Sequence, residues 1–401
     1  MAQRRRGVSP RCLAWQDAAS AYHAFLAAKR IILAQTARDR FRRDPLRFIA
    51  ICIVALTCFL LQPLPSNAQE KNEPQDSIEG NFLTNVRQVT QDFVKAGEGY
   101  FSPDGETIIY QAVTKDYPFY QIFTQPLAGG VPRRISTGRG RTTCSYFSPD
   151  GKRVLFASSH LDPNLEETEE AERKQQAEDA ASGKRRRYQW DFDKHMDLFE
   201  SDPDGSNLRR LTTEEGYDAE GAYSKDGKWI AFCSDRDGDP DLYIMRSDGS
   251  ELRQLTNAKG YDGGSFISPD EKWVIFRSDR KQEGFLQIYA IGVDGQNETA
   301  LTDNVGVNWA PYWHPTEPYI IWTGADHTDP QARPNYDLWL MKYAAADGKI
   351  TAESPVRVTD HSGADVLPVF SPDGNCLMWT STRGDDHSSQ LWHAEFKLPS
   401  E

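Results

Sequence analysis

Apolar residues recur along this chain in short unbroken runs. Ile108-Ile109-Tyr110, Val154-Leu155-Phe156, Ile230-Ala231-Phe232, Val274-Ile275-Phe276, Ile320-Ile321-Trp322 and Leu377-Met378-Trp379 each end on an aromatic ring. Runs of this length without polar alternation predict strands buried on both faces, as in a sheet packed between two others. A turn precedes every run: Ser102–Gly105, Ser148–Gly151, Ser224–Gly227, Ser268–Glu271, the degenerate His314–Glu317, and Ser371–Gly374. In Ser-Pro-Asp-Gly, proline fixes φ for the second turn position, while serine and glycine suit the first and fourth. Directly before the turns stand Phe101, Phe147, Tyr223, Ile267, Trp313 and Phe370, so each turn joins two buried strands. Flanking Pro and Gly, and the shortness of the runs, exclude a helix.

Taking the third turn residue of each copy as an anchor gives spacings of 46, 76, 44, 46 and 57 residues. A period near 45 with four or five short strands predicts a propeller blade. A second phrase follows each turn: "DLFESDPDGSNLRRLT" (197–212), "DLYIMRSDGSELRQLT" (241–256) and "QIYAIGVDGQNETALT" (287–302) are strand, Asp-Gly turn and strand ending in Leu-Thr. The last copy, "QLWHAEFKLPSE", lacks its outer strand, while "NVRQVT" (85–90) precedes the first complete inner strand. The N-terminal strand therefore completes the sixth blade and removes the open edges of the ring. The expectation is an all-β, six-bladed β-propeller.

"FSPDG", "CSDRDGDPDLYIMRSDGSELRQLT" and "GYDGGSFISPDEKWVIFRSDR" resemble the PD40, or WD40-like, repeats of the TolB propeller, over roughly residues 82–397. The resemblance implies a propeller of the bacterial cell envelope used for protein–protein contact. Two features depart from it. TolB carries an α/β domain before its propeller, for which this chain leaves no room, and blade two holds an insertion (159–194) that TolB does not lead one to expect. Within it, Glu166–Glu172 come first and Lys184–Arg187 last, with Gly183 as a helix stop. Acid before base suits the helix dipole. A segment polar all round predicts a solvated helix projecting from the ring, or disorder, with a partner-docking arm as its functional reading.

Charge divides the chain. Residues 1–68 hold eleven Lys/Arg and three Asp/Glu, so of a net −13 the remainder carries −21. An acidic body argues against nucleic acid as a partner. The 14-residue apolar run Phe48–Leu61 follows Arg42, Arg43 and Arg47 and precedes Ser66 and Ala68. It reads as a secretory signal rather than a span, which needs about 20 residues. Left uncleaved, it would tether the chain to a membrane. The reading is a periplasmic or secreted monomer, with residues 69–81 as a flexible lead-in. Beyond the signal only Cys144, Cys233 and Cys376 remain, each within a predicted strand, which suggests buried thiols rather than a disulfide framework.

Candidate chemistry concentrates where one blade hands over to the next. Eight residues before the anchors stand Ala96, Thr142, Asp218, Asp262, Asn308 and Asp365; six before stand Glu98, Cys144, Glu220, Gly264, Ala310 and Leu367. Strand period two puts both columns on one side. Asp218, Glu220, Asp262, Asn308 and Asp365, with Glu98, thus form a candidate cation or ligand site at the channel mouth, calcium being the ion considered. "SDRDGDPD" (234–241) spaces four aspartates like a calcium loop, but Arg246 stands where an EF-hand needs glutamate. A local Asp–Arg hydrogen bond ordering the loop is the better reading.

No G-x-S-x-G and no H-E-x-x-H occurs. His314, His327, His361, His387 and His393 cluster in blades five and six, where three could meet around a metal as in the oligogalacturonate lyases. The reading is a non-catalytic platform for an envelope protein or polymer, without a required cofactor. Its rivals are a metal-assisted polysaccharide lyase and a gate for a separate peptidase.

Overall fold

The computed structural model describes residues 77–183, 192–329, 331 and 334–399. The basic leader, the Phe48–Leu61 run and the Lys184–Arg187 end of the insertion lie outside the described residues.

Six antiparallel sheets form the described body, five built from consecutive strands and one from both ends. Blade one runs through Lys95–Phe101, Thr107–Val113, Gln121–Pro126 and Arg133–Arg134; blades two to four repeat this order. Blade five adds a strand, because Asp337–Ala346 pairs with both Lys349–Ala352 and Val356–Arg357. In blade six the fourth strand is Leu83–Gln88, antiparallel to Gln390–Phe396. The amide of Val89 then donates to the carbonyl of Leu391 at 2.8 Å, so the ring closes as the repeat count requires.

The recurring phrases become intelligible as hydrogen-bond devices. In each full turn the serine hydroxyl donates to the aspartate two residues on, at 2.5–2.7 Å. It also accepts the amide five residues on, at 2.9–3.0 Å, which starts the next strand. Gly105, Gly151, Gly227 and Gly374 follow at φ between 69° and 76°, the left-handed region that glycine enters freely. The threonine of Leu-Thr has a separate task. Its hydroxyl accepts the amide of the third strand's second residue, as in Leu198, Leu242, Ile288 and Leu338. Thr90 does the same for Leu391 across the closure.

The aromatic residues ending the apolar runs, Tyr110, Phe156, Phe232, Phe276, Trp322 and Trp379, are all at most 1 % exposed and fill the spaces between sheets. The blade-two insertion contains an 18-residue helix, Leu165–Ser182, ended by Gly183 at φ 64°. It does not simply project. Buried Glu169 accepts the hydroxyl of Tyr117 at 2.6 Å and the Arg139 guanidinium at 2.7 Å, and Gln176 donates to the carbonyl of Pro118. The first turns are thereby docked on blade one, because a polar helix can pack through ion pairs where it lacks an apolar stripe.

Candidate functional site at the channel

The innermost strand of every blade contains a β-bulge at the same place. Register slips between Gly97 and Gly99, and likewise in the other five blades. The residue six before the anchor, Glu98, Cys144, Glu220, Gly264, Ala310 or Leu367, sits at the bulge with φ between 47° and 61°. A bulge inserts one residue and turns the side chains that follow. The expectation that the two columns share one side of the chain therefore fails: period two does not survive the bulge.

Bulging also frees a backbone amide toward the preceding blade, and a side chain there accepts it. Glu98 donates to the hydroxyl of Thr380 at 3.1 Å, Cys144 to Gln111 at 3.4 Å, and Leu367 to Thr323 at 2.9 Å. The amide of Gly264 is taken by the carboxylate of Glu220. These bonds latch neighbouring blades at the channel wall. Replacing Thr380 by valine should strand the Glu98 amide and lower stability by about 1–2 kcal/mol in urea unfolding; no change would mean that water satisfies the amide instead.

The five residues expected at the mouth do not gather into one ring. Asp218, Asp262 and Asp365 are at most 1 % exposed, and each faces the arginine of its own blade's later loop. Arg236 bonds both oxygens of Asp218 at 2.9 Å, Arg280 bonds Asp262 at 2.5 Å, and Arg383 bonds Asp365 at 2.6 Å. The Ser-Asp-Arg arginine thus orders its loop through the aspartate 18 residues upstream, not through the aspartates beside it. Asn308 is equally committed, donating to Gln287 and Asn304 and accepting from Trp322.

Glu220 does reach the channel wall. Its carboxylate accepts the Tyr217 hydroxyl at 2.9 Å, the Tyr261 hydroxyl at 2.8 Å and Arg277 at 3.1 Å. Arg277 binds Tyr261 as well and lies against Trp309. Glu98 is the second acid of this group, half-buried in the lumen. Burial, opposed by Arg277 and reinforced by Glu220, pushes its carboxyl up to about 7.

Below this polar level four rings close the channel. Tyr100, Tyr146, Phe266 and Tyr312, from blades one, two, four and five, have centroids 4.9–6.2 Å apart. The hydroxyls of Tyr146 and Tyr312, on opposite blades, meet at 3.0 Å. Ala222 and Val369 fill the same column in blades three and six. The rings span the lumen as a plug.

Residues 190–333 match the family model of the tricorn protease N-terminal β-propeller domain. None of the curated proteins matches the chain. Among solved structures, a protein of Agrobacterium tumefaciens assigned as TolB is 19% identical with TM-score 0.49, over 78% of this chain and 97% of that one. TolB of Acinetobacter baumannii is 18% identical with TM-score 0.46, over 78% and 66%. The oligogalacturonate lyase of Vibrio parahaemolyticus is 14% identical with TM-score 0.47, over 75% and 78%. At these identities the likeness is one of fold.

On the six blades the five histidines stay apart. His314 packs edge-on against Phe370 and His393 against Phe101, both in the walls of blades. Asn335 binds the carbonyl of His361 in one loop, and His327 packs on Phe285 in another. Among the described residues, no three of them bring their ring nitrogens together. Cys144, Cys233 and Cys376 are free thiols, the first two buried. Arg277 and the four plug rings escaped the sequence reading. Both had a signal: the plug is the column four before the anchors, and Arg277 is the one charge in the column seven after them.

Proposed function

We propose that this chain is an exported, non-catalytic propeller that serves as a binding platform, receiving an envelope protein or polymer at its channel mouth. The aromatic plug supports this reading best. A plugged lumen is a blind cup rather than a conduit, which counts against a gate that passes chains to a peptidase. Apolar side chains stand exposed on the loops of the mouth face: Phe192 at 40%, Leu161 at 52% and Val305 at 62%. An apolar rim around a polar, aromatic cup is a docking surface in kind. Scattered histidines and an acidic body weigh against a lyase acting on sugar acids. Export rests on the Phe48–Leu61 run and its flanks.

The test is capture by the immobilised full chain from envelope extract and from a panel of polymers, followed by affinity measurement on the recovered component. Phe192→Asp with Val305→Asp should weaken binding at least tenfold, about 1.4 kcal/mol. Val131→Asp, on the opposite face and 89% exposed, should leave it unchanged. Equal effects from both faces would overturn the assignment of the surface. Chelator-sensitive cleavage of polygalacturonate would overturn the non-catalytic reading.

A further inference from the structure

On the face that carries the Ser-Pro-Asp-Gly turns, the clefts between neighbouring blades can be compared position by position. Between blades three and four the cleft holds about 70 Å³, and Trp229, Ile244, Ile267 and Val293 line it. Between blades two and three the same repeat positions are Arg153, Glu200, Tyr223 and Ser247, and the cavity is about 470 Å³. One cleft has four apolar side chains where the other has four polar ones, and the polar cleft is the open one. Its volume falls in the range of small-molecule sites, roughly 300–1,000 Å³.

The polar groups are held in place but only partly used. Buried Glu200 accepts the Tyr223 hydroxyl at 3.1 Å and Nε of Arg209 at 3.2 Å. Arg209 also reaches across to blade three, donating through Nη2 to the carbonyl of Ser247 at 3.3 Å. Its Nη1 has no hydrogen-bond partner among the described residues. Arg153 bonds Asp202 through Nη1 at 2.7 Å, and its Nε and Nη2 are likewise unspent. In the apolar cleft the counterpart of Arg209, Arg253, lies over the Trp229 ring instead. A buried carboxylate and phenol cost stability where two isoleucines would pack, so packing alone gives no reason for them.

The charges of the walls nearly balance. Lys152, Arg153, Arg209 and Lys228 each pair with a carboxylate at the cleft. A ligand of either sign would compete with those pairs, whereas one hydroxyl donates to a carboxylate and accepts from a guanidinium at once. Pro149 and the Tyr223 ring are the apolar surfaces of the lining, too little for a lipid or for the anchor of a protein partner. We propose that the cleft between blades two and three binds a neutral oligosaccharide, whose hydroxyls meet Arg153, Arg209 and Glu200. The site lies on the face away from the channel mouth, and neither proposal needs the other.

Calorimetry of the full chain against short cello-, malto- and N-acetylchito-oligosaccharides should give, for one series, a Kd of about 1 mM or tighter. Glu200→Ile with Tyr223→Ile rebuilds the cleft of blades three and four. This variant should bind that sugar about tenfold more weakly or worse, while unfolding at the same or a higher urea concentration than the parent. Arg153→Leu, at the partly exposed wall, should also weaken binding without touching the buried pair. Phe192→Asp with Val305→Asp, at the channel mouth, should leave it unchanged. No binding of any of the three series, or equal affinity in the parent and both cleft variants, would overturn the site. Tighter binding of oligogalacturonate or of chitosan oligomers, the acidic and basic counterparts, would overturn the choice of a neutral sugar.

Discussion

Replacing Arg383 by alanine is expected to remove about 3–5 kcal/mol of stability. Its side chain is 5% exposed and bonds Asp365, which is fully buried, at 2.6 Å. It also bonds Glu79 at 3.0 Å, and it stacks over Trp379 and Trp392. Alanine would leave Asp365 charged in a dry wall, which is why the loss exceeds the net worth of the pair. Glu79 belongs to the 3-10 turn Ile78–Asn81, so the same change loosens the segment that leads into the closing strand. Urea unfolding checks the magnitude. Arg383→Met combined with Asp365→Asn should recover most of the loss, since two apolar or neutral groups need no partner. Arg133→Ala should cost under about 1 kcal/mol, because that arginine and its partner Asp204 are 63% and 52% exposed. A similar cost for Arg383→Ala and Arg133→Ala would show that burial does not govern these pairs.

The blades were legible because they repeat. Each turn, apolar run and Leu-Thr ending recurs at fixed offsets, and six copies supply the comparison that a single sequence otherwise lacks. The closure was legible for the same reason: Val89-Thr90 carries the Leu-Thr ending with no blade before it. What failed was the step from column to direction. Asp218 and Glu220 stand two apart, and in a regular strand they would face the same way. The bulge at Glu220 separates them, sending one against Arg236 and the other into the channel. Nothing in the column itself announces this, because Glu98, Cys144, Ala310 and Leu367 adopt φ above 45° without glycine. The aspartates and the Ser-Asp-Arg arginines were both visible in the sequence. Their pairing was not, since it joins the start of the first strand to the loop beyond the second. Tyr146 and Tyr312 meet only because blades two and five oppose each other across the ring, a relation that follows from the blade count.

Raising the pH from 5 to 8 should destabilise the parent, and Glu98→Gln should remove part of that dependence. The ordinary carboxyl value is 4.5, and in the folded chain Glu98 titrates near 7. The folded state therefore holds a proton that the unfolded state has released. A raised value of this kind contributes stability that is full below about pH 4.5 and is lost as pH rises through about 7. The span sets a ceiling of roughly 3 kcal/mol, and the half-exposed lumen brings the observed figure below it. Asp241, near 7, and Asp337, near 6, act in the same direction in both proteins. Only the difference between the two pH profiles belongs to Glu98. It should open between pH 5 and 7, with the variant gaining on the parent toward alkaline pH. Parallel profiles would mean that Glu98 is already ionised at pH 5. The channel would then hold two negative charges around Arg277, and its wall would be acidic throughout the physiological range.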